Sequence, residues 1–207
     1  MIRVITIERE YGSGGSDIAR RLAERLGWQL WDQHLTDEIA RQMECDSGAV
    51  EERAERRDAL HYRLFKAFLR GSLEGSLNPR LKMVDADCIR HVAERAVTAA
   101  AKSGSAVIVG RGSAYYLHDR PDAFHVFVYA PLEAKVQRLR SAGKSEEEAI
   151  ELAETVDRDR AAYIKQYFDV EWPARHLFHL MINTAIGDEM VVQTILASIA
   201  LLDKQSA

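Results

Sequence analysis

Gly12-Ser13-Gly14-Gly15-Ser16 is the segment of this chain best suited to chemistry. Glycines let consecutive backbone N–H groups curl around an anion, and a helix that starts there adds the positive end of its dipole. The preceding run Val4-Ile5-Thr6-Ile7 reads as a short β-strand. After the glycines, Ile18, Leu22 and Leu26, with Ala19 and Ala23 beside them, form the apolar stripe of a helix that Gly27 stops. Strand, glycine turn and helix N-terminus in that order make a phosphate cradle, whereas the glycines alone would suit any tight connection.

Laid on the Walker pattern Gly-x-x-x-x-Gly-Lys-Ser/Thr, the segment runs from Arg9 to Ser16. Gly14 and Ser16 fall in place, but Arg9 stands at the first glycine and Gly15 at the lysine. The first lysine of the chain is Lys66. The charge that neutralises β- and γ-phosphates must therefore come from an arginine or be absent, and Arg9, Arg20, Arg111, Arg138, Arg158 and Arg160 are the candidates. Without it, charge-assisted binding weakens by about 1.5–3 kcal/mol, and the transition state loses more.

These residues need elements to position them. Trp28 to Asp32 reads as a second short strand, with the acidic Thr36-Asp37-Glu38 opening a helix behind it. Residues 44–84 are rich in Glu and Arg, carry Leu60, Leu64, Ala67 and Phe68 at helical spacing, and end in Gly71, Gly75 and Asn78-Pro79. An inserted helical region with a loop is expected there. A helix from Val84 to Ala101, capped by Asp85 or Asp87, leads into a strand over 106–110. Further strands are expected at His125–Tyr129 and Leu177–Ile182. Helices should start at Pro131, at the capping box Ser145–Glu148, and at Gly187, the last with a stripe of Val191, Ile195, Ile199 and Leu202. Strands alternating with helices, about five times over, imply an α/β fold with a parallel sheet.

Composition sets the outer bounds. With 47% apolar and 29% charged residues in 207, one folded domain with a modest insertion is expected. A net charge of −4, from 28 basic and 32 acidic residues, gives no field that would draw the chain onto nucleic acid or an anionic membrane. Cys45 and Cys88 have no metal-ligand spacing and read as free thiols in a reducing compartment. The opening residues turn acidic too soon for a signal-peptide core, and no apolar run approaches the ~18 residues of a membrane span. A cytoplasmic location is expected. The seven histidines show no clustered spacing and receive no catalytic or metal role.

The segment Ile5–Gly27 resembles the cytidylate-kinase-like family of P-loop proteins, relatives of bacterial CMP kinase. Trp31-Asp32, Val107–Tyr115, Val126–Leu132, Asp157–Tyr163 and Ile182–Thr184 match in order, so the resemblance spans nearly the whole chain apart from 44–84. It implies a P-loop NTPase fold of nucleoside-monophosphate-kinase type, with a five-stranded parallel sheet and helices on both faces. The chain is then one domain over 1–207, with 44–84 as an NMP-binding insertion and 132–165 as the lid and its adjoining helices. ATP and Mg2+ are implied, as are nucleotides as partners. Gly12, Ser13, Gly14, Gly15, Ser16 and Asp17 would hold the donor phosphates, with Ser16 as the Mg2+ hydroxyl. CMP kinases carry Gly-Arg-Asp after the third strand. Here Gly110-Arg111-Gly112 keeps the arginine, an acceptor-phosphate ligand by resemblance, and lacks the aspartate. Arg138, Arg158 and Arg160 take the role of lid arginines. Arg158 and Arg160 point about 200° apart on a helix, so one of them faces the site. Arg160 is favoured, since Asp157, Arg160 and Tyr163 share one face. Asp32 would contact Mg2+ through water or accept from the substrate.

Phosphoryl transfer from ATP·Mg2+ to CMP or dCMP is the leading expectation. A nucleotide-binding sensor or weakly active relative lacking the lysine, and a kinase of another small acceptor, are the alternatives.

Overall fold

The computed structural model describes residues 1–32 and 86–205, so the insertion expected over 44–84 lies outside the described residues. In chain order the elements are β1 (Val4–Arg9), α1 (Gly15–Leu26), β2 (Gln29–Trp31), α2 (Ala86–Lys102), β3 (Ala106–Val109), α3 (Ser113–Tyr116), β4 (Ala123–Tyr129), α4 (Leu132–Ser141), α5 (Glu146–Phe168), β5 (Leu180–Asn183) and α6 (Asp188–Gln205). All five strands are parallel, in the order β2-β3-β1-β4-β5. β1 is central, with Val4–Ile7 opposite Ala106–Val109 of β3 and Val4–Arg9 opposite Ala123–Val128 of β4.

Burial on both faces explains the continuous apolar runs of these strands. Ile5, Ile7, Val107, Val109, Val126 and Val128 meet Ile18 and Leu22 of α1 and Val191, Val192 and Ile195 of α6 on one face. On the other, Val4, Ala106 and Ile108 pack with Val92, Ala96 and Val97 of α2 and Tyr163 and Ile164 of α5. The expected stripe of α6 holds through Ile199 and fades at Leu202, which is 37% exposed.

Strand ends differ from expectation by one to three residues, and two of the boundaries have identifiable reasons. β5 begins at Leu180 rather than Leu177, because its ladder lasts only as long as its pairing with Val126–Tyr129; residues 175–177 form a 3-10 turn, and Leu177 and Phe178 pack against the α2/α5 core instead. Pro131 caps α4 from outside its first turn. Ser145 caps α5 as its capping box predicts, its hydroxyl accepting the Glu148 N–H at 3.1 Å.

A polar pair, Thr6 and His125, lies between β1 and β4. His125, fully within β4, contacts Thr6 Oγ1 through Nδ1 at 2.7 Å, and its backbone N–H donates to Nδ1 of His179 at 2.9 Å. Burial pushes the His125 imidazole down to about 4, with His179 as the second cause, and burial lowers His179 as well. The unfolded chain takes up protons at about pH 6.5 that the folded chain refuses. Stability is therefore full above that pH and declines as the pH falls towards about 4. Urea unfolding should show a lower midpoint at about pH 5 than at about pH 7, and His125→Asn should shrink the difference.

Candidate active site

The connection leaving β1 runs toward one edge of the sheet and that leaving β4 toward the other, which opens a crevice at the carboxyl end of β1. Two backbone bonds gather the loops there: Gly110 N–H donates to Ile7 O at 2.9 Å and Glu10 N–H to Val128 O at 3.0 Å.

The glycine turn runs from Glu10 to Gly14. Gly14 (φ 83°) serves as N-cap of α1 and provides no side-chain cap, so the helix N-terminus faces the turn with its own N–H groups. Ser13 is buried, and its Oγ and N–H both donate to Glu10 O, at 2.7 and 3.3 Å, which closes the turn. Ser16 lies half-buried in the first helical turn. Asp17 is exposed and pairs with Arg20 at 3.6 Å, at the outer edge of the turn.

Gly110, Arg111 and Gly112 follow β3 with φ of 63°, 60° and 68°. A left-handed arginine costs of the order of 1–2 kcal/mol. Here its consequence is that the Arg111 side chain turns inward and is 2% exposed. Arg9, at the end of β1, is also buried. A Cβ placed on Gly15 would lie 2.8 Å from Arg9 Cβ and 2.9 Å from Arg9 Cγ, and the Arg9 guanidinium occupies the space where a Gly110 side chain would stand. The third arginine comes from α5. Arg160 Nη1 donates to Arg9 O at 2.7 Å and to Asp157 Oδ1 at 3.1 Å, while its Nη2 is buried without an acceptor among the described residues. Of the two alternatives on this helix, Arg160 is thus turned inward and Arg158 is exposed.

Electrostatics reflects this crowding. Burial and then the charge of Arg9 hold Arg111 down to about 9 and Arg160 down to about 10. Both stay cationic at neutral pH, but each is less comfortable than in water. Glu8, buried in β1, and Asp32, buried at the end of β2, offset part of this charge. Burial in turn raises the Glu8 carboxyl above its usual range.

The opposite wall of the turn is α4. Lys135 and Leu139 approach Gly12, and the Arg138 guanidinium lies against Gly14. Arg138 forks onto Asp188, at the start of α6, at 2.8 and 3.1 Å. Lys135 Nζ bonds Glu10 Oε2 at 2.7 Å and Asp157 Oδ2 at 3.1 Å. Asp157 also accepts the N–H of Tyr11 at 2.8 Å. One carboxylate therefore gathers a turn amide, a lysine and an arginine.

The fold also brings a lysine to the turn, from α4 far along the chain, with its ammonium on Glu10 and Asp157. Lys135, Arg138 and Leu139 at i, i+3, i+4 were the available signal, since that spacing puts all three on one helix face. Glu8 carried no comparable signal, because strand burial decides its place, and Glu10, just past β1, is placed by the turn.

Replacing Asp157 leaves Lys135, Arg160 and Tyr11 N–H without their common acceptor. Asp157→Ala should lower the unfolding free energy by about 1–3 kcal/mol in urea titrations, whereas the exposed neighbour Arg158→Ala should change it by less than about 0.5 kcal/mol.

The solved structures that match include a protein from Eubacterium ventriosum described as uncharacterized (23% identity, TM-score 0.65, covering 97% of this chain and 99% of that one). A shikimate kinase from Bacteroides thetaiotaomicron (15% identity, TM-score 0.51, 97% and 99%) and a gluconokinase from Sinorhizobium meliloti (15% identity, TM-score 0.51, 98% and 94%) share the fold as well. No curated protein sequence matches the chain. The five-stranded parallel sheet with its glycine turn is thus the fold of P-loop kinases. Residues 4–186 match the family described as cytidylate kinase-like, and the chain belongs to that cytidylate kinase-like family.

Proposed function

We propose that this chain transfers a phosphoryl group from ATP·Mg2+ to a nucleoside monophosphate, CMP or dCMP first. The observation that carries the reading is the convergence of Arg9, Arg111 and Arg160, all buried, beside the glycine turn. Phosphoryl transfer asks a protein for positioning and charge neutralisation rather than a covalent nucleophile. Backbone N–H groups of Gly12, Gly14, Gly15 and Ser16 hold the donor phosphates, with Ser13 closing the turn that presents them and Asp17 at the rim. Arg111 takes the acceptor phosphate, for which its rigid fork of donors suits a dianion. Arg138 and Arg160 neutralise the group in transit.

The donors present suit Mg2+. Among the described residues no group of three or more His, Cys, Asp or Glu side chains stands together as a metal cage. Mg2+ in kinase sites takes few protein oxygens and keeps phosphates and water. Ser16 would hold it directly and Asp32 through water, or Asp32 would accept from the substrate instead, and the charge of the ion would offset that of the phosphates.

A kinase of another small acceptor is the second reading, favoured by Gly112 in the place of the aspartate that CMP kinases carry. The shared fold with a shikimate kinase and a gluconokinase makes hydroxylated acids reasonable members of a test panel. Among the described residues no helix is long and apolar enough to cross a membrane. A cytoplasmic enzyme acting on nucleotides, with neither a nucleic-acid polymer nor a membrane as partner, fits the charge balance.

Purified protein with ATP, Mg2+, a panel of nucleoside monophosphates and small hydroxy acids should release ADP with at least one acceptor. Arg111→Ala should cut that rate by about 100-fold or more. Background turnover with every acceptor, while ATP still binds, would favour the sensor over the kinase.

A further inference from the structure

Two departures from the Walker pattern, an arginine in place of its first glycine and a glycine in place of its lysine, meet in space. The stem of Arg9 fills the volume into which any residue-15 side chain would start, with 2.8 and 2.9 Å to an ideal Cβ. The near atoms are Cβ and Cγ of Arg9, which cannot swing aside as a side-chain tip does. A lysine at 15 and an arginine at 9 therefore exclude one another, and Gly15 is the residue that leaves Arg9 room. From that start Arg9 runs past Gly15 to Gly110, so its stem lines the glycine turn and its guanidinium lies at the loop that follows β3, near Arg111.

We propose that Arg9 is the phosphate-neutralising cation of this P-loop, the charge having moved from the seventh position of the motif to the first. The ligand class is the β,γ-phosphates of a nucleoside triphosphate. Lys135 and Arg138 are the other cations beside the turn, and both come from α4 rather than from the motif itself. The backbone carbonyl of Arg9 is what Arg160 uses, so replacing the Arg9 side chain leaves that bond available. This assignment rests on the reading of the site as a phosphoryl-transfer centre and names one residue of its machinery.

The test is reciprocal exchange. ATP·Mg2+ and inorganic tripolyphosphate are titrated calorimetrically into the full chain and its variants, with melting curves taken without ligand. Arg9→Gln keeps the stem across Gly15 and removes the charge; it should melt near the native temperature and bind both probes roughly 10- to 100-fold more weakly. Gly15→Lys alone should lower the melting temperature through the clash with Arg9. Combined with Arg9→Gly it restores the ordinary motif, and the double variant should recover melting temperature and bring both affinities to within about threefold of native.

Native affinity in Arg9→Gln would overturn the assignment. So would a double variant that binds no better than Arg9→Gly, or a loss of affinity confined to Lys135→Gln. If both probes bind and depend on Arg9 while no acceptor is phosphorylated, the kinase reading fails and the assignment stands. If ADP forms at native rate and affinity in Arg9→Gln, the assignment fails and the kinase reading stands.

Discussion

Burying guanidinium groups is the constraint around which this structure is arranged. Arg9, Arg111 and Arg160 sit at the end of the central strand with almost no access to water, and each raises the electrostatic cost of the others. Charges in that position need partners that are also buried. Glu8 comes from the strand, Asp32 from the neighbouring edge of the sheet and Asp157 from α5. The result is a lattice of alternating charge linking β1, β2, β3 and α5, supported by backbone acceptors such as Arg9 O. Removing one member exposes the rest to an uncompensated interior, so the network behaves as a unit.

Much of the fold was legible from periodicity. Unbroken apolar strands, a helix with Ile18 and Leu22 on one side, and the capping box at Ser145 are local signals, and local signals survive into the folded state. The glycine turn and the inward face of Arg160 were legible for the same reason, one from residue type and the other from helix spacing. What escaped was what tertiary return decides. Lys135 lies more than a hundred residues from the turn it serves, and the left-handed conformation that sends Arg111 inward follows from flanking glycines whose purpose appears only once β3 lies beside β1. Reading along the chain left Lys135 out, because the packing of α4 against the turn, not sequence order, brings it there.

The comparisons fix the family and the fold, and the chemistry must be argued from the side chains. A shikimate kinase and a gluconokinase share this fold with the chain, so the fold by itself does not choose an acceptor. After β3 this chain carries Gly110-Arg111-Gly112, and the side chains there are its own.

Two helices of this protein begin in opposite ways. α5 starts on a serine that satisfies its own first amides, whereas α1 starts on Gly14 and has no side-chain cap. A cap is worth about 1 kcal/mol to a helix, and α1 forgoes it. The same amides then remain able to accept an anion, so stability and occupancy of the turn are linked: any anion they bind strengthens the fold in proportion to the logarithm of its concentration. Position 14 admits no capping side chain as it stands: its φ is 83°, and a Cβ there would lie 2.6 Å from the Arg138 guanidinium, so the bare start of α1 is set by the backbone and by α4 together.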